Sequence, residues 1–325
     1  MSQVQDRIVS DTSRAAADVR RTPDAPLVSV VIPTCNRAAL ARRAIESVVR
    51  QSYANLEIIV VDDASSDGTG GMVRSLADPR IRYLRHEERR GGSAARNTGI
   101  RAATGAFIAF LDDDDEWEPD KTEEHLRALA GYDAVLCSSS AAEEAERAGA
   151  APTPVRPEDL RQSPYAKGGA GVLMARTDVM RDVMFDESLP KCQDWDVFIR
   201  IACRYRLGFL NRALVKYNDG DHDRITNVLI ALPFADLERR LVMLDKHKDF
   251  FGARLHRRHA CRMLLYGVFR RKDTLAHIAR TARRHGLGTA MGVLLRHVWH
   301  KCRTAVRHAL RARGGSGPRT RALTR

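Results

Sequence analysis

The chain has no Cys-x-x-Cys pair and no zinc-type spacing among its six cysteines, Cys35, Cys137, Cys192, Cys203, Cys261 and Cys302. That scatter argues against a disulfide framework and for free thiols in a reducing compartment. No stretch approaches the ~18 consecutive apolar residues of a membrane span. Met1 to Arg21 carries Asp6, Asp11 and Asp18 and lacks an apolar core, so it does not read as a secretory signal. These features lead us to expect a cytoplasmic protein. Acids are nearly missing from one end: residues 251–325 hold 19 Lys and Arg and a single acid, Asp273. The rest of the chain carries 35 bases and 40 acids, so the net charge of +13 hides a mildly acidic body joined to a strongly basic tail.

What is present is an alternation of short apolar runs and helical patterns. Val28 to Pro33, Glu57 to Asp63, Ile81 to Leu84 and Ala106 to Leu111 read as strands. Between them, Arg37 to Gln51, Thr69 to Leu76 and Ser93 to Ala103 carry helical spacing. Strands alternating with helices predict βαβ units and a mostly parallel sheet. Residues 141–164 are rich in Ala, Glu and Pro and are expected to form a surface segment or mobile loop. Asp194 to Cys203 predicts a helix with Trp195, Phe198 and Ile199 on one face, and from Phe234 onward the pattern is helical and basic. Residues 1–26 are expected to be disordered.

The strand Phe107 to Leu111 runs directly into Asp112-Asp113-Asp114-Asp115. Four carboxylates at the end of a buried strand cannot stay ionised and unpaired. A hard divalent ion such as Mg²⁺, completed by phosphate oxygens, would answer that need. A solvated acidic turn is the plainer alternative. The position favours a ligand, because open α/β sheets bind at the carboxyl ends of their strands. Pro33-Thr34 and Asp62-Asp63 should share that edge. Asp62 to Thr69 also suits a helix N-cap and turn. Gly91-Gly92 opens a helix in a way that suits phosphate binding, although such pairs also serve plain turns.

In combination these segments are more specific. Ser29 to Arg37, Val60 to Thr69, Gly92 to Ile100, Phe110 to Asp115 and Gln193-Asp194-Trp195-Asp196 occur in that order. The set closely resembles glycosyltransferase family 2 proteins with the GT-A fold, over about residues 27–225. The resemblance implies an α/β fold of the GT-A type, with a Rossmann-like, mostly parallel central sheet flanked by helices. A basic α-helical region, 226–325, would follow. By the same resemblance, Pro33, Thr34, Asp62 and Asp63 would hold the nucleoside. Arg37 and Arg96 would approach the diphosphate or brace the acidic cluster. The family's Asp-x-Asp motif falls on Asp112-Asp113-Asp114, with Asp112 and Asp113 on the nucleotide side and Asp114 as ligand to Mg²⁺ or Mn²⁺. Asp115 would support the metal from behind. Asp194 would be the general base, beside Trp195, and Gln193 stands where the family more often has Glu. His222 would reach the metal or diphosphate, and Arg224 would neutralise phosphate.

Beyond that region, Val298, Trp299, Cys302, Ala305, Val306, Ala309 and Leu310 recur at helical spacing among basic residues. A basic amphipathic helix reads first as a peripheral contact with an anionic membrane surface. A helix packed on the catalytic domain and nucleic-acid binding are the alternatives, the last ranked lowest. The expected activity is inverting, metal-dependent transfer of a sugar from a UDP-, GDP- or dTDP-sugar to a saccharide or lipid-linked acceptor. The setting would be polysaccharide or glycolipid assembly at the inner membrane face. A catalytically silent relative that binds anionic partners through its tail is the rival.

Overall fold

The computed structural model describes residues 25–139, 151–162, 169–218 and 232–299. His222, Arg224, the predicted helix beyond Trp299 and residues 1–24 of the predicted disordered segment lie outside that set. The chain divides after residue 221 into two compact units.

The first unit is built on a nine-stranded sheet in the order β3-β2-β1-β4-β8-β6-β9-β5, with β7 paired to β9. β1 (Val28–Thr34), β2 (Leu56–Asp62), β3 (Ile81–Arg85) and β4 (Phe107–Phe110) form its parallel half. Beyond β4, antiparallel pairing dominates: β8 (Leu173–Arg176) runs against both β4 and β6 (Ala134–Ser139). β9 (Leu207–Lys216) runs parallel to β6 and antiparallel to β5 (Glu116–Trp117) and β7 (Thr153–Val155).

The parallel strands read as continuous apolar runs because helices cover both faces. Val30, Val31, Ile32, Ile58, Ile59, Val60 and Val61 are all fully buried. Each such side chain contributes about 1.5–3 kcal/mol by leaving water. Helix Ala38–Val49 adds Ala41, Ala44, Ile45 and Val48 at helical spacing. Helix Gly92–Ala102 crosses β1 so closely that a Cβ on Gly99 would sit 2.3 Å from Val31 Cγ1, which is why glycine is required there. One carboxylate lies deep in this half. Glu57 is buried on β2 and accepts from Ser29 Oγ, Thr104 N and Arg82 Nη1, so its charge is fully met.

Register places the functional edge. Thr34 lies opposite Asp62, and Val31 opposite Phe110. The Leu111 N–H still donates to Val31 O, so the acidic run begins where the ladder ends. The polar ends of β1, β2 and β4 therefore share one margin of the sheet.

Part of the expected surface segment is ordered instead. Thr153–Val155 pairs with β9, and helix Pro157–Gln162 buries Leu160 completely. Two apolar anchors, Val155 and Leu160, suffice to seat that polar stretch. Residues 140–150 and 163–168 are outside the described set.

The second unit is helical among its described residues: Phe234–Glu238, Val242–Lys246, Lys248–Leu264, Thr274–His285 and a helix over 287–299. Cys261, Leu265, Val268, Ala290 and Leu294 form its core cluster. No helix among the described residues is long and apolar enough to cross a membrane.

Candidate active site

The acidic run alternates. Asp113 and Asp115 are buried, whereas the side chains of Asp112 and Asp114 keep 25% and 15% of their surface exposed. The run is a turn, closed by the Asp115 N–H donating to Asp112 O at 3.1 Å, and this turn divides the side chains between the interior and the crevice. Of four identical letters, only the first and third thus offer carboxylates to the crevice.

The inward pair is structural. Asp113 accepts from Thr34 Oγ1 at 2.9 Å and from Arg37 Nη1 at 3.0 Å, tying the end of β1 to the end of β4. Burial pushes the Asp113 carboxyl up to about 6, against the pull of Arg37 and Thr34. Asp115 accepts from Asn218 N at 3.1 Å, at the end of β9. Asp113, expected on the nucleotide side, is therefore a brace, because its carboxylate faces Thr34 and Arg37.

The outward pair is held by arginines. Arg96 Nη2 lies 2.5 Å from Asp112 Oδ1, and Arg37 Nη1 lies 3.4 Å from Asp114 Oδ2. Arg96 also stands over the Phe185 ring at 5.4 Å, and its buried Nε has no hydrogen-bond partner. Phe185 is fixed by two bonds to Asn97, which donates to Phe185 O and accepts from Phe185 N, both at 2.8 Å. Gly169, at φ +60°, passes so close that a Cβ there would lie 3.0 Å from Asp112 Oδ2.

Asp62 is almost wholly buried. Its Oδ1 accepts from Ser65 N at 2.8 Å and its Oδ2 from Tyr83 Oη, fixing the turn after β2. Burial is the first cause that lifts the Tyr83 phenol to about 12, followed by its bond to Asp62.

Asp63 departs from its expected role. Its Oδ1 accepts from His86 Nδ1 and Arg90 N, each at 2.8 Å, and its Oδ2 from Gly91 N at 2.7 Å. Burial raises this carboxyl, but the bonds from Arg90, His86 and Gly91 outweigh it and hold it below the ordinary range. His86 Nε2 in turn reaches Thr98 Oγ1 at 2.9 Å. Asp63 therefore holds the loop just before helix Gly92–Ala102, at the Arg90 and Gly91 N–H groups. Both carboxylate oxygens have partners within the chain, so Asp63 serves as an internal clamp between the end of β2 and that loop.

Asp194 sits in the first turn of helix Gln193–Arg204, half-buried. Loss of water raises its carboxyl above the ordinary range, opposed by the Trp195 N–H; the Asp112 charge adds to the rise and Arg96 opposes it. Asp194, Asp112 and Arg96 therefore share one electrostatic neighbourhood, although they come from three separate segments. Gln193 turns away to donate to Leu189 O at 2.7 Å, and Trp195 is buried with its Nε1 on Leu160 O. Tyr83, His86 and Phe185 were not singled out by the sequence. Phe185 has no local signal at all, since it meets Arg96 only through the fold.

The donor set suits a hard cation. Asp112 and Asp114 offer carboxylate oxygens at the crevice, and no cage of three or more His, Cys, Asp or Glu side chains occurs among the described residues. An ion held here would need oxygens from elsewhere, as Mg²⁺ does when it shares a phosphate-bearing ligand.

Residues 29–180 match the family model described as Glycosyl transferase family 2. The chain is 33% identical over 196 residues to WcaA of Escherichia coli (strain K12), a glycosyl transferase named for colanic acid biosynthesis. That match covers 55% of this chain and 67% of WcaA. It is 45% identical over 103 residues to UDP-Glc:alpha-D-GlcNAc-diphosphoundecaprenol beta-1,3-glucosyltransferase WfgD of Escherichia coli, across 32% of this chain and 41% of WfgD. Among solved structures, S. aureus TarS in complex with UDP-GlcNAc superposes with a TM-score of 0.55 at 17% identity, over 82% of this chain and 90% of that one. The mannosyltransferase PcManGT from Pyrobaculum calidifontis, with GDP-Man and Mn2+, gives 0.55 at 21%, over 90% and 88%. The ordered strand-end motifs, the sheet that gathers them and these relatives agree: the chain belongs to glycosyl transferase family 2.

Proposed function

We propose that the chain transfers a sugar from a nucleotide-sugar donor to a saccharide or lipid-linked acceptor in one inverting displacement. The carrying observation is the convergence of Asp194, Asp112 and Arg96, with the Asp194 carboxyl raised by loss of water, the direction that favours a base. The acceptor hydroxyl oxygen attacks the anomeric carbon and gives its proton to Asp194. The bond from that carbon to the diphosphate oxygen breaks, and the nucleoside diphosphate leaves with the bonding electron pair. Attack and departure on opposite faces invert the anomeric centre.

The other residues orient this step. Pro33, Thr34 and Asp62 line the nucleoside end of the margin, with Tyr83 fixing Asp62. Arg96, with its buried Nε lacking a hydrogen-bond partner, meets the diphosphate beside Asp112. Asp114, with Asp112, would hold Mn²⁺ or Mg²⁺, which when bound supplies charge neutralisation to the departing diphosphate. His222 and Arg224, outside the described residues, keep their proposed places at the metal and the phosphate. The catalytic unit is read as 27–225 and the basic helical region as 226–325, at the inner membrane face. The lipid-linked acceptor is supported by the likeness to WfgD, named as a glucosyltransferase of a diphosphoundecaprenol substrate.

Calorimetric titration with UDP, GDP and dTDP, with and without Mn²⁺, tests the donor pocket. Cation-dependent binding of one nucleotide, lost in Asp114→Asn, is the expected result. Absence of binding under every condition would overturn the reading.

A further inference from the structure

Every large apolar side chain left exposed among the described residues lies in the second unit. Five of them, Leu287, Met291, Leu295, Val298 and Trp299, fall on the helix over 287–299. At the helical repeat these positions share one side, within an arc of about 120°. Ala290 and Leu294, on the adjoining side, already pack into the core cluster with Cys261 and Leu265. The exposed band is thus a second apolar face. Leu287, Leu295 and Trp299 are 67%, 64% and 60% exposed, a contiguous stripe rather than the scattered single residues of an ordinary surface.

Like charges gather in the same unit. Arg254, Arg258 and Arg262 recur every four residues on helix Lys248–Leu264, and Arg296 approaches from the helix over 287–299. Loss of water, then the charges of Arg296, Arg262 and Arg254, push the Arg258 guanidinium below its ordinary value, so the four are close in space. Of the five acids described in this unit, four are engaged elsewhere: Asp236 with Arg239, Glu238 with Arg284, Asp245 with His256, and Asp273 with Arg271 and Arg280; the fifth, Asp249, lies in the first turn of helix Lys248–Leu264. Among the described residues none pairs with Arg254, Arg258 or Arg262.

The geometry points to a bilayer-docking face: the band from Leu287 to Trp299 enters the interface of an anionic membrane while Arg254, Arg258, Arg262 and Arg296 meet headgroup phosphates. This deepens the proposed use of a membrane-borne acceptor and rests on that reading for its purpose. A nucleic acid would satisfy the arginines yet leave the leucines in water, whereas an anionic bilayer satisfies both.

Flotation of the full chain with phosphatidylcholine vesicles, with and without phosphatidylglycerol, tests this. The wild type should float with the anionic vesicles and stay behind with the neutral ones. Met291→Glu with Leu295→Glu, and separately Arg254→Glu with Arg262→Glu, should each lower the bound fraction about tenfold or more. Circular dichroism melting checks that each variant is folded; where one is not, the wild type in high salt replaces it, and screening should strip the arginine contribution. Wild type that ignores anionic vesicles, or variants that float as well as wild type, overturns the proposal. So does loss of duplex DNA binding in the variants with flotation unchanged, which would assign the face to nucleic acid. Transfer to a water-soluble acceptor is measured alongside and should persist in both variants. Its absence from wild type would sink the transferase reading while leaving the flotation result standing.

Discussion

Arg37 Nη1 lies 3.0 Å from the buried carboxylate of Asp113 and 3.4 Å from the more exposed carboxylate of Asp114. One guanidinium thus joins the inner scaffold of the acidic run to its outer, working side. Removing it strands a charge that burial already disfavours. Arg37→Gln should destabilise the first unit by about 1–3 kcal/mol, below the cost of breaking a fully buried pair because the arginine keeps some solvent. Adding Asp113→Asn should recover much of the loss. Denaturant melts of the two single variants and the double one give the coupling directly.

Asp194→Asn separates chemistry from binding. The transfer rate should fall about 10²–10⁴-fold, the range for loss of a general base. Nucleotide affinity should stay within about twofold, since the proposed donor contacts lie on other elements of the fold. Equal losses in rate and nucleotide affinity would remove Asp194 from the role of base.

Two glycines give opposite expectations. Gly169 has φ +60° and only 3.0 Å between an added Cβ and Asp112 Oδ2. Gly169→Ala should cost about 1–2 kcal/mol and slow transfer, because backbone strain and displacement of Asp112 act together. Gly71, inside helix Thr69–Ser75, has open space around it. Gly71→Ala should stabilise by about 0.5–1 kcal/mol with transfer unchanged. Thermal melts and initial rates of the two variants test the pair.

Lys121 makes stability depend on alkaline pH. Its Nζ is fully buried, lies 3.9 Å from the Trp117 ring centre and has no hydrogen-bond partner. Burial depresses it to about 8, against a raising influence from Cys137. The unfolded chain therefore holds the extra proton between pH 8 and about 10.5, so this group makes the fold more stable as pH rises through that window. The buried Cys137 thiol, pushed by burial up to about 11, acts in the opposite sense above pH 9. Comparison with Lys121→Met isolates the lysine: the variant should be the more stable at pH 7, by up to roughly 3 kcal/mol. That gap should close by pH 10, and a gap independent of pH would refute the account.

The alternation of strands and helices was legible because β1 and β2 are buried on both faces and carry unbroken apolar runs. The convergence of Thr34, Asp62 and the acidic run was legible for the same reason, since strand ends in a parallel half-sheet share an edge. What each carboxylate faces was not. Asp112 and Asp113 are the same letter, and only the turn they enter distinguishes a brace from a crevice group. Asp63 looked like a ligand residue because the loop that consumes its oxygens, Arg90 and Gly91, is 27 and 28 residues away in sequence. The short strand and helix at 153–162 were hidden because their seating depends on one valine and one leucine in a polar stretch.

The clamp at Asp63 has a consequence for turnover. A bare helix start is permanent positive potential, and a doubly charged leaving group would settle there. In this fold a resident carboxylate already sits beside that start, on the Arg90 and Gly91 N–H groups. On the proposed reading, more of the attraction for the product's phosphates would come from the arginine side chains and from whatever cation accompanies the nucleotide, all of which can be reorganised or carried away. The resident charge would loosen the hold of the helix start on the spent nucleotide and ease its release.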